Sequence, residues 1–525
     1  MRLLGDVKLV GGARTESYLV YAVAGALLMA GPFWLFLHDS RYPFRPEYFL
    51  LVAGAALLGA LGLVVAHRIG GLVETACFAV ALYLFLDMQS AFFEAHVKTL
   101  LLVAILFVLA HLLRARRAAI TAISLGAFYA ASLPRLGGEP EVRRSATPVA
   151  TADSTRPVLL HVILDEQWGI GGLRLEGDTS TASYLSDFYL RRGFELYPAA
   201  YSRWGRTMES ITDMLSMGNA SSLEPGRPTR RSRLRKTIPY FELLRSRGYA
   251  IRVFQSGFLD YCDAPASPVA SCETQSGNSA ANIGYLDGPV GARAMLVSRY
   301  FLNLRSHVYR AVHEDPVQWR RAGTGGALRE LEHLRESIET GPRSGVAYFV
   351  HVLLPHRPLE VDRECRLIRD PRRRIGELPT RVGDSAWAAT LVMVDDQIRC
   401  AHLALGRALD ALDSTAGRGN SIVIVHGDHG GRFFKQAPAS MGVAVDDRQL
   451  SARFSTLLAV RRPGAPAGVR PEPVPTQDFI WRLAQQDFTG AVPSDYEHYV
   501  RASGWYATPV DSLRQLTTQT MPWVR

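Results

Sequence analysis

Cysteine is scarce, five residues in 525, and no two stand at the short spacing of a zinc-binding thiolate pair, which excludes a cysteine-type zinc site. No segment recurs at a period of roughly 20–50 residues, so a solenoid is excluded. Charge is thin, at 21% of residues against an average of about 25%. Aromatic residues are not thin: 22 Phe, 20 Tyr and 8 Trp rule out general disorder. Lys and Arg exceed Asp and Glu by 59 to 49, a balance that could point to nucleic acid. Two basic stretches stand out, Arg227 to Lys236 and Arg363 to Arg374, but aromatics do not interleave with them, and nucleic-acid binding is not expected. They read as solvated loops or as contacts for anionic headgroups or an acidic glycan.

The apolar residues crowd the first quarter of the chain. A membrane-crossing helix needs about 20 mostly apolar residues. Tyr18–Leu37, Tyr48–Ala66, Ile69–Leu86, Thr99–Leu113 and Ala118–Leu133 come near that length, the last two being short. Five such runs are too dense for a soluble fold. Glu74 lies in the third and is expected to face other helices rather than lipid. With the N-terminus inside, the inner segments carry seven basic residues (Arg2, Lys8, Arg14, Arg68, Arg114, Arg116, Arg117) and the outer loops three (Arg41, Arg45, Lys98). That bias favours N-inside. Five spans then put everything after Leu133 outside, in an oxidising compartment. There Cys262 and Cys272, ten residues apart in a loop-like stretch, read as a disulfide; Cys365 with Cys400 is a second candidate pair, and four unrelated thiols are the alternative.

The expected organisation is a transmembrane domain over 1–136, a linker over 137–156 rich in Pro, Ser and Thr, and one soluble domain over 157–525. In the last, the apolar runs Val158–Leu164, Ala250–Phe254, Val346–Leu354 and Ser421–Val425 suit strands buried on both faces. Helical patterns such as Thr207–Met217 and Asp384–Leu412 alternate with them. The pattern predicts an α/β domain with a mostly parallel sheet.

In open α/β sheets, ligands bind beyond the carboxyl ends of the strands. The first run ends in Asp165-Glu166, the third carries His351 and leads to Pro355-His356-Arg357-Pro358, and the last leads to Asp428-His429-Gly430. If the strands are parallel neighbours, these carboxylates and imidazoles converge and suit a divalent metal such as Zn or Mn. Each piece alone reads equally as a helix cap or a structural histidine; their joint occurrence after apolar strands favours a metal site. Thr207 stands where a helix should start, either as an ordinary N-cap or as a hydroxyl activated by a metal and the helix N-terminus.

Together these residues resemble the alkaline phosphatase/sulfatase superfamily, specifically its membrane-anchored sulfatase-like members. The resemblance rests on Asp165-Glu166, Arg206-Thr207-x-x-Ser210-Ile211, Val350-His351 with Pro355-His356-x-Pro358, Asp395-x-Gln397 and Asp428-His429-Gly430, over roughly Pro157 to Arg432. Five spans before such a domain also look like phosphoethanolamine transferases and, more loosely, lipoteichoic-acid synthases. The resemblance implies an alkaline-phosphatase-like sandwich. It implies that Glu166, Asp428 and His429 bind metal (Zn or Mn, with Ca or Mg as alternatives), with Asp165 as a further ligand. Thr207 would be the nucleophile, His351 and His356 would contact substrate or a second metal, and Arg432 would contact a phosphate oxygen of the substrate. The formylglycine motif of typical sulfatases, Cys/Ser-x-Pro-x-Arg, is absent, and Asp165-Glu166-Gln167 replaces the Gly-Glu-Thr of phosphoethanolamine transferases. The implied enzyme sits in a bacterial inner membrane with its catalytic domain periplasmic. It moves a phosphate-linked headgroup from a phospholipid donor to an envelope glycan or lipid. A hydrolase of the same superfamily and a non-catalytic subunit of an envelope-polysaccharide machine are the alternatives.

Overall fold

The computed structural model describes residues 17–89, 96–132, 142–144, 153–217, 232–233, 238–262, 268–275, 280–312, 323–368, 383–431, 447–502 and 512–515. The chain divides into two units, one of Met1–Gly138 with Ser279–Gly284 and Pro289–Arg320, the other of Glu139–Asn278, Tyr285–Gly288 and Arg321–Arg525. Two later pieces of chain therefore belong with the first unit, a return that a simple three-part reading of the sequence does not separate.

Among the described residues, the N-terminal part of the first unit forms five apolar helices: α1 (Tyr18–Asp39), α2 (Pro46–Ile69), α3 (Gly71–Gln89), α4 (His96–Leu112) and α5 (Arg117–Ser132). Leu, Ala and Val fill them, and their outward leucines, such as Leu57, Leu58 and Leu61, stay exposed as lipid-facing residues would. α1, α2 and α3 are long and apolar enough to cross a membrane, with 22, 24 and 19 residues. α4 and α5, at 17 and 16 residues, fall short, so among the described residues three helices rather than five meet the length of a span. The reason is the turn at Leu113–Arg116, which puts Arg114 and Arg116 between two short apolar pieces. α1 and α2 cross where both carry glycine: a Cβ on Gly25 or Gly59 would lie 2.1 Å from the other's carbonyl oxygen, the close approach that small residues permit. Glu74 faces other helices, as expected. Tyr21 donates to its carboxylate, His67 Nδ1 lies 2.9 Å away, and the Arg117 guanidinium pairs with it.

Residues 280–312 form a strap of three helices, Ala280–Gly284, Val290–Arg305 and His307–Val312. Glu47, in the first turn of α2, is fully buried and receives Arg293 Nε and Nη2 at 2.7 and 2.9 Å and the Tyr42 hydroxyl at 2.8 Å. Asp87, near the end of α3, is also buried and accepts the Ser306 hydroxyl at 2.6 Å and the His307 N–H at 3.0 Å. It thereby caps the His307–Val312 helix from outside that helix. The Phe301 ring packs 4.0 Å from Phe33 and 5.0 Å from Phe36.

The second unit is an α/β sandwich. Its sheet runs Val142–Arg144, Val269–Gln275, Ala250–Ser256, Val346–Val352, Val158–Leu164, Ser421–Gly427, Leu458–Arg461, Glu195–Leu196, Gly468–Val469. The five strands from Val269–Gln275 to Ser421–Gly427 are parallel, and Val142–Arg144 and Leu458–Arg461 flank them antiparallel. Val142–Arg144 falls in the stretch expected as linker, so part of it is an edge strand. The central three strands are buried at every residue, as their continuous apolar runs require. Val158, Leu160, Val162 and Leu164 meet residues of the long Asp384–Thr415 helix on one face. Leu159 and Ile163 meet residues of the Thr207–Ser216, Pro239–Ser246 and Thr476–Gln485 helices on the other. Fully burying one such side chain contributes roughly 1.5–3 kcal/mol. The geometry joins Cys262 to Cys272 and Cys365 to Cys400; Cys77, in α3, is free. Of the basic stretches, Arg363 and Arg366 are paired with Asp396 and Asp362, and the rest lie largely outside the described residues.

Candidate active site

Val346–Val352, Val158–Leu164 and Ser421–Gly427 are neighbours in that order, so their carboxyl ends open at one edge. Asp165, Glu166, His351, His356, Thr207, Asp428 and His429 meet there, and all are buried. Asp165, Glu166 and His429 bring one ligand atom each within 4.8 Å of one another. Glu166 has φ 61°, a left-handed conformation that costs a non-glycine residue on the order of 1–3 kcal/mol. The turn it makes sends its N–H to Asp428 Oδ1 at 2.9 Å. The glycines after His429 are needed for space. A Cβ on Gly430 would lie 2.1 Å from the Ala452 carbonyl oxygen, and one on Gly431 would fall 1.1 Å from Trp168 Nε1.

Thr207 is not an N-cap. Arg206 occupies that position and Thr207 is the first residue of its ten-residue helix. The hydroxyl instead lies 3.4 Å from Asp165 Oδ2 and 3.3 Å from His429 Nε2. Ser210, one turn on, fastens this helix to the site: its hydroxyl donates to the Asp428 carbonyl and receives Gln477 Nε2 at 2.8 Å.

The acceptors of the site face one another. His429 Nδ1 lies against the Gly430 carbonyl, which can only accept, so that nitrogen carries the ring proton of a neutral imidazole. Its unprotonated Nε2 then faces Asp428 Oδ2 at 3.3 Å. His356 repeats the pattern, with Nδ1 on the Arg357 carbonyl and Nε2 3.4 Å from Glu166 Oε1. Asp165 Oδ1 is buried with no hydrogen-bond partner among the described residues. Lone pairs aimed at lone pairs in a buried place are what a cation resolves, and the donor set of carboxylates with imidazole fits a divalent ion.

One supporting residue, Tyr261, was not singled out from the sequence. Tyr261 bonds His351 Nδ1 at 2.8 Å. Gln397 donates to the carbonyls of Pro355, His356 and Pro358, so it shapes the His356 loop. Asp395, from the same motif, binds Thr181 and Arg399 and stays out of the site. Arg432 lies outside the described residues.

No protein-family model matches the chain, and neither does any curated protein. Among solved structures, a phosphonate monoester hydrolase of Agrobacterium radiobacter is 13% identical, with 66% of this chain and 80% of that one covered and a TM-score of 0.42. A 2-O GAG sulfatase is also 13% identical, with 69% and 81% covered and a TM-score of 0.42. A protein in the alkaline phosphatase superfamily from Vibrio parahaemolyticus is 13% identical, with 69% and 74% covered and a TM-score of 0.36. These likenesses are loose, with TM-scores from 0.36 to 0.42.

Proposed function

We propose that the chain is a metal-dependent enzyme of sulfatase-like type that transfers a phosphate-linked headgroup by way of Thr207. The observation that carries this reading is the Thr207 hydroxyl, buried at a helix start and directed at Asp165 and His429 rather than at its own backbone. Asp165, Glu166, Asp428 and His429 would hold a divalent cation, Zn or Mn by donor type, with Ca or Mg as alternatives. Such an ion, when bound, stabilises charge on a phosphoryl oxygen and lowers the pKa of a bound hydroxyl. The chain's own residues do the rest. Thr207 Oγ attacks phosphorus and forms an ester while the P–O bond to the leaving group breaks. Its proton passes to Asp165 or to an unprotonated imidazole nitrogen beside it. The N-terminal end of the Thr207 helix favours the anionic group, and His351 and His356 are placed to contact it. Arg432 is proposed as a further substrate contact.

The membrane helices support a phospholipid donor and an envelope glycan or lipid acceptor, in a bacterial inner membrane with the catalytic unit on the outer side. Three spans, like five, are an odd number and preserve that orientation. Hydrolysis, with water taking the ester, is the alternative within the same chemistry. Labelled phospholipid incubated with membranes tests both. An adduct on Thr207 that discharges to a glycan or lipid supports transfer, discharge to water alone supports hydrolysis, and no adduct on Thr207 overturns the reading.

A further inference from the structure

Behind the site, inside the apolar layer of the sheet, lie two imidazoles that the chemistry above does not use. His161 sits mid-strand in Val158–Leu164 and His426 in the neighbouring Ser421–Gly427, and both are buried. Their Nε2 atoms are 2.9 Å apart. His161 Nδ1 is 2.8 Å from the Tyr240 hydroxyl, and His426 Nδ1 is 2.8 Å from the carbonyl oxygen of Gly427.

The direction of every bond follows from the last one. The Gly427 carbonyl only accepts, so His426 Nδ1 carries a proton; a neutral imidazole has one N–H, so His426 Nε2 accepts. His161 Nε2 must then donate, which leaves His161 Nδ1 to accept the Tyr240 O–H. All three side chains are satisfied in one polarity, Tyr240 to His161 to His426 to Gly427, with both rings neutral. A metal between the rings is excluded, because two nitrogens about 2.1 Å from one zinc stand roughly 3.4 Å apart. A proton wire is excluded too, since the chain ends on a carbonyl with no proton to pass. What the chain can do is hold one peptide in place. Three polar groups in an apolar layer carry a desolvation cost that their bonds only offset, so orientation is what they add over leucines.

We propose that Tyr240, His161 and His426 are positioning residues: a one-way hydrogen-bond relay that sets the Gly427–Asp428 peptide and thereby aims Asp428 and His429. The inference rests on the reading of those two as cation ligands. Partners that orient metal ligands in this way typically cost 10–100-fold in affinity when removed.

The test has two arms. In metal-free protein with labelled histidine, nitrogen NMR should find His426 as the Nδ1–H tautomer and His161 as the Nε2–H tautomer; the opposite tautomer at His426 overturns the relay whatever the site binds. In the second arm, Zn affinity is measured by calorimetry in Tyr240→Phe and in the double variant His161→Leu/His426→Leu, whose core stays apolar. Affinity roughly 10–100-fold weaker with an unchanged thermal midpoint supports positioning. Wild-type affinity in the folded double variant means that the relay is only packing, and overturns it. His429→Ala is the control for the underlying reading. If that variant binds Zn as wild type does, the ligand assignment fails while the tautomers stand or fall alone.

Discussion

Three acids packed among the helices of the first unit, Glu47 and Asp87 buried and Glu74 half-buried, and the three buried acids of the candidate site are treated in opposite ways. In the first, Glu47 meets Arg293 and Tyr42, Asp87 meets Ser306 and His307, and Glu74 meets Arg117 and Tyr21. Every one of these acids faces donors. In the second, Asp428 and Glu166 have imidazole nitrogens at 3.3 and 3.4 Å whose ring protons point away, and Asp165 Oδ1 has no hydrogen-bond partner among the described residues. Acids ringed by donors are architecture; acids that also gather against the acceptor nitrogens of imidazoles suit something positive.

The sharpest way to break this contrast is at Thr207. Thr207→Ala should abolish turnover of an aryl or lipid phosphodiester and remove the adduct seen by peptide mass analysis, with thermal unfolding little changed. Thr207→Ser should keep part of the activity, because the hydroxyl survives; a fully active alanine variant would remove Thr207 from the chemistry. On the architectural side, Arg293→Met strands Glu47 in the interior and should cost about 3–5 kcal/mol, read as a lower unfolding midpoint in detergent. Adding Glu47→Gln or Glu47→Leu should recover most of it, and no recovery would show that Arg293 matters for another reason.

A third class of buried group sharpens the comparison, being satisfied yet uncharged. His402 receives the Tyr189 hydroxyl at 2.9 Å and lies 2.8 Å from the Ile398 carbonyl. Burial lowers its pKa from 6.5 to about 4. The unfolded chain therefore takes up a proton near pH 6.5 that the folded chain refuses until about pH 4. Stability from this residue is complete above that window and is lost as pH falls through it, by about 3 kcal/mol. Urea midpoints measured from pH 7 to pH 4 should fall, and His402→Leu should fall less steeply. Last, a cation at 100 times its Kd should raise stability by about 2.7 kcal/mol. Chelation should reverse that gain in the wild type and change nothing in Asp428→Asn; an equal response in both would detach Asp428 from the ion.

The parts of the fold set by hydrophobic continuity were legible in the sequence. Val158–Leu164 reads as a strand because all of it but His161 is apolar, and it is one, residue for residue. Where such strands end, Asp165, Glu166, Asp428 and His429 could be placed at one edge. His161 was not legible as a relay member, because a lone histidine in an apolar run has no visible partner until the neighbouring strand and Tyr240 are beside it. Gln397 looked like a member of a catalytic motif, but its amide serves only the backbone of the His356 loop. The strap was hidden for a different reason: Glu47 and Asp87 sit near the ends of apolar runs, where acids are ordinary, and their partners lie 246 and 219 residues further along the chain.

That separation has a consequence for the order in which the protein is made. α2 and α3 emerge from the ribosome with only the Tyr42 hydroxyl for Glu47, and neither Glu47 nor Asp87 meets its partners in the strap until more than two hundred residues later. The membrane helices are thus an unfinished object for most of synthesis, completed by a late segment rather than by one another. A truncated chain that stops after Gly138 would leave Glu47 without its cation and Asp87 without its Ser306 and His307 donors, and one that begins after it would carry Arg293 and Phe301 with nothing to cover. Cutting this chain between its apolar helices and its α/β unit parts the first unit from two of its own pieces.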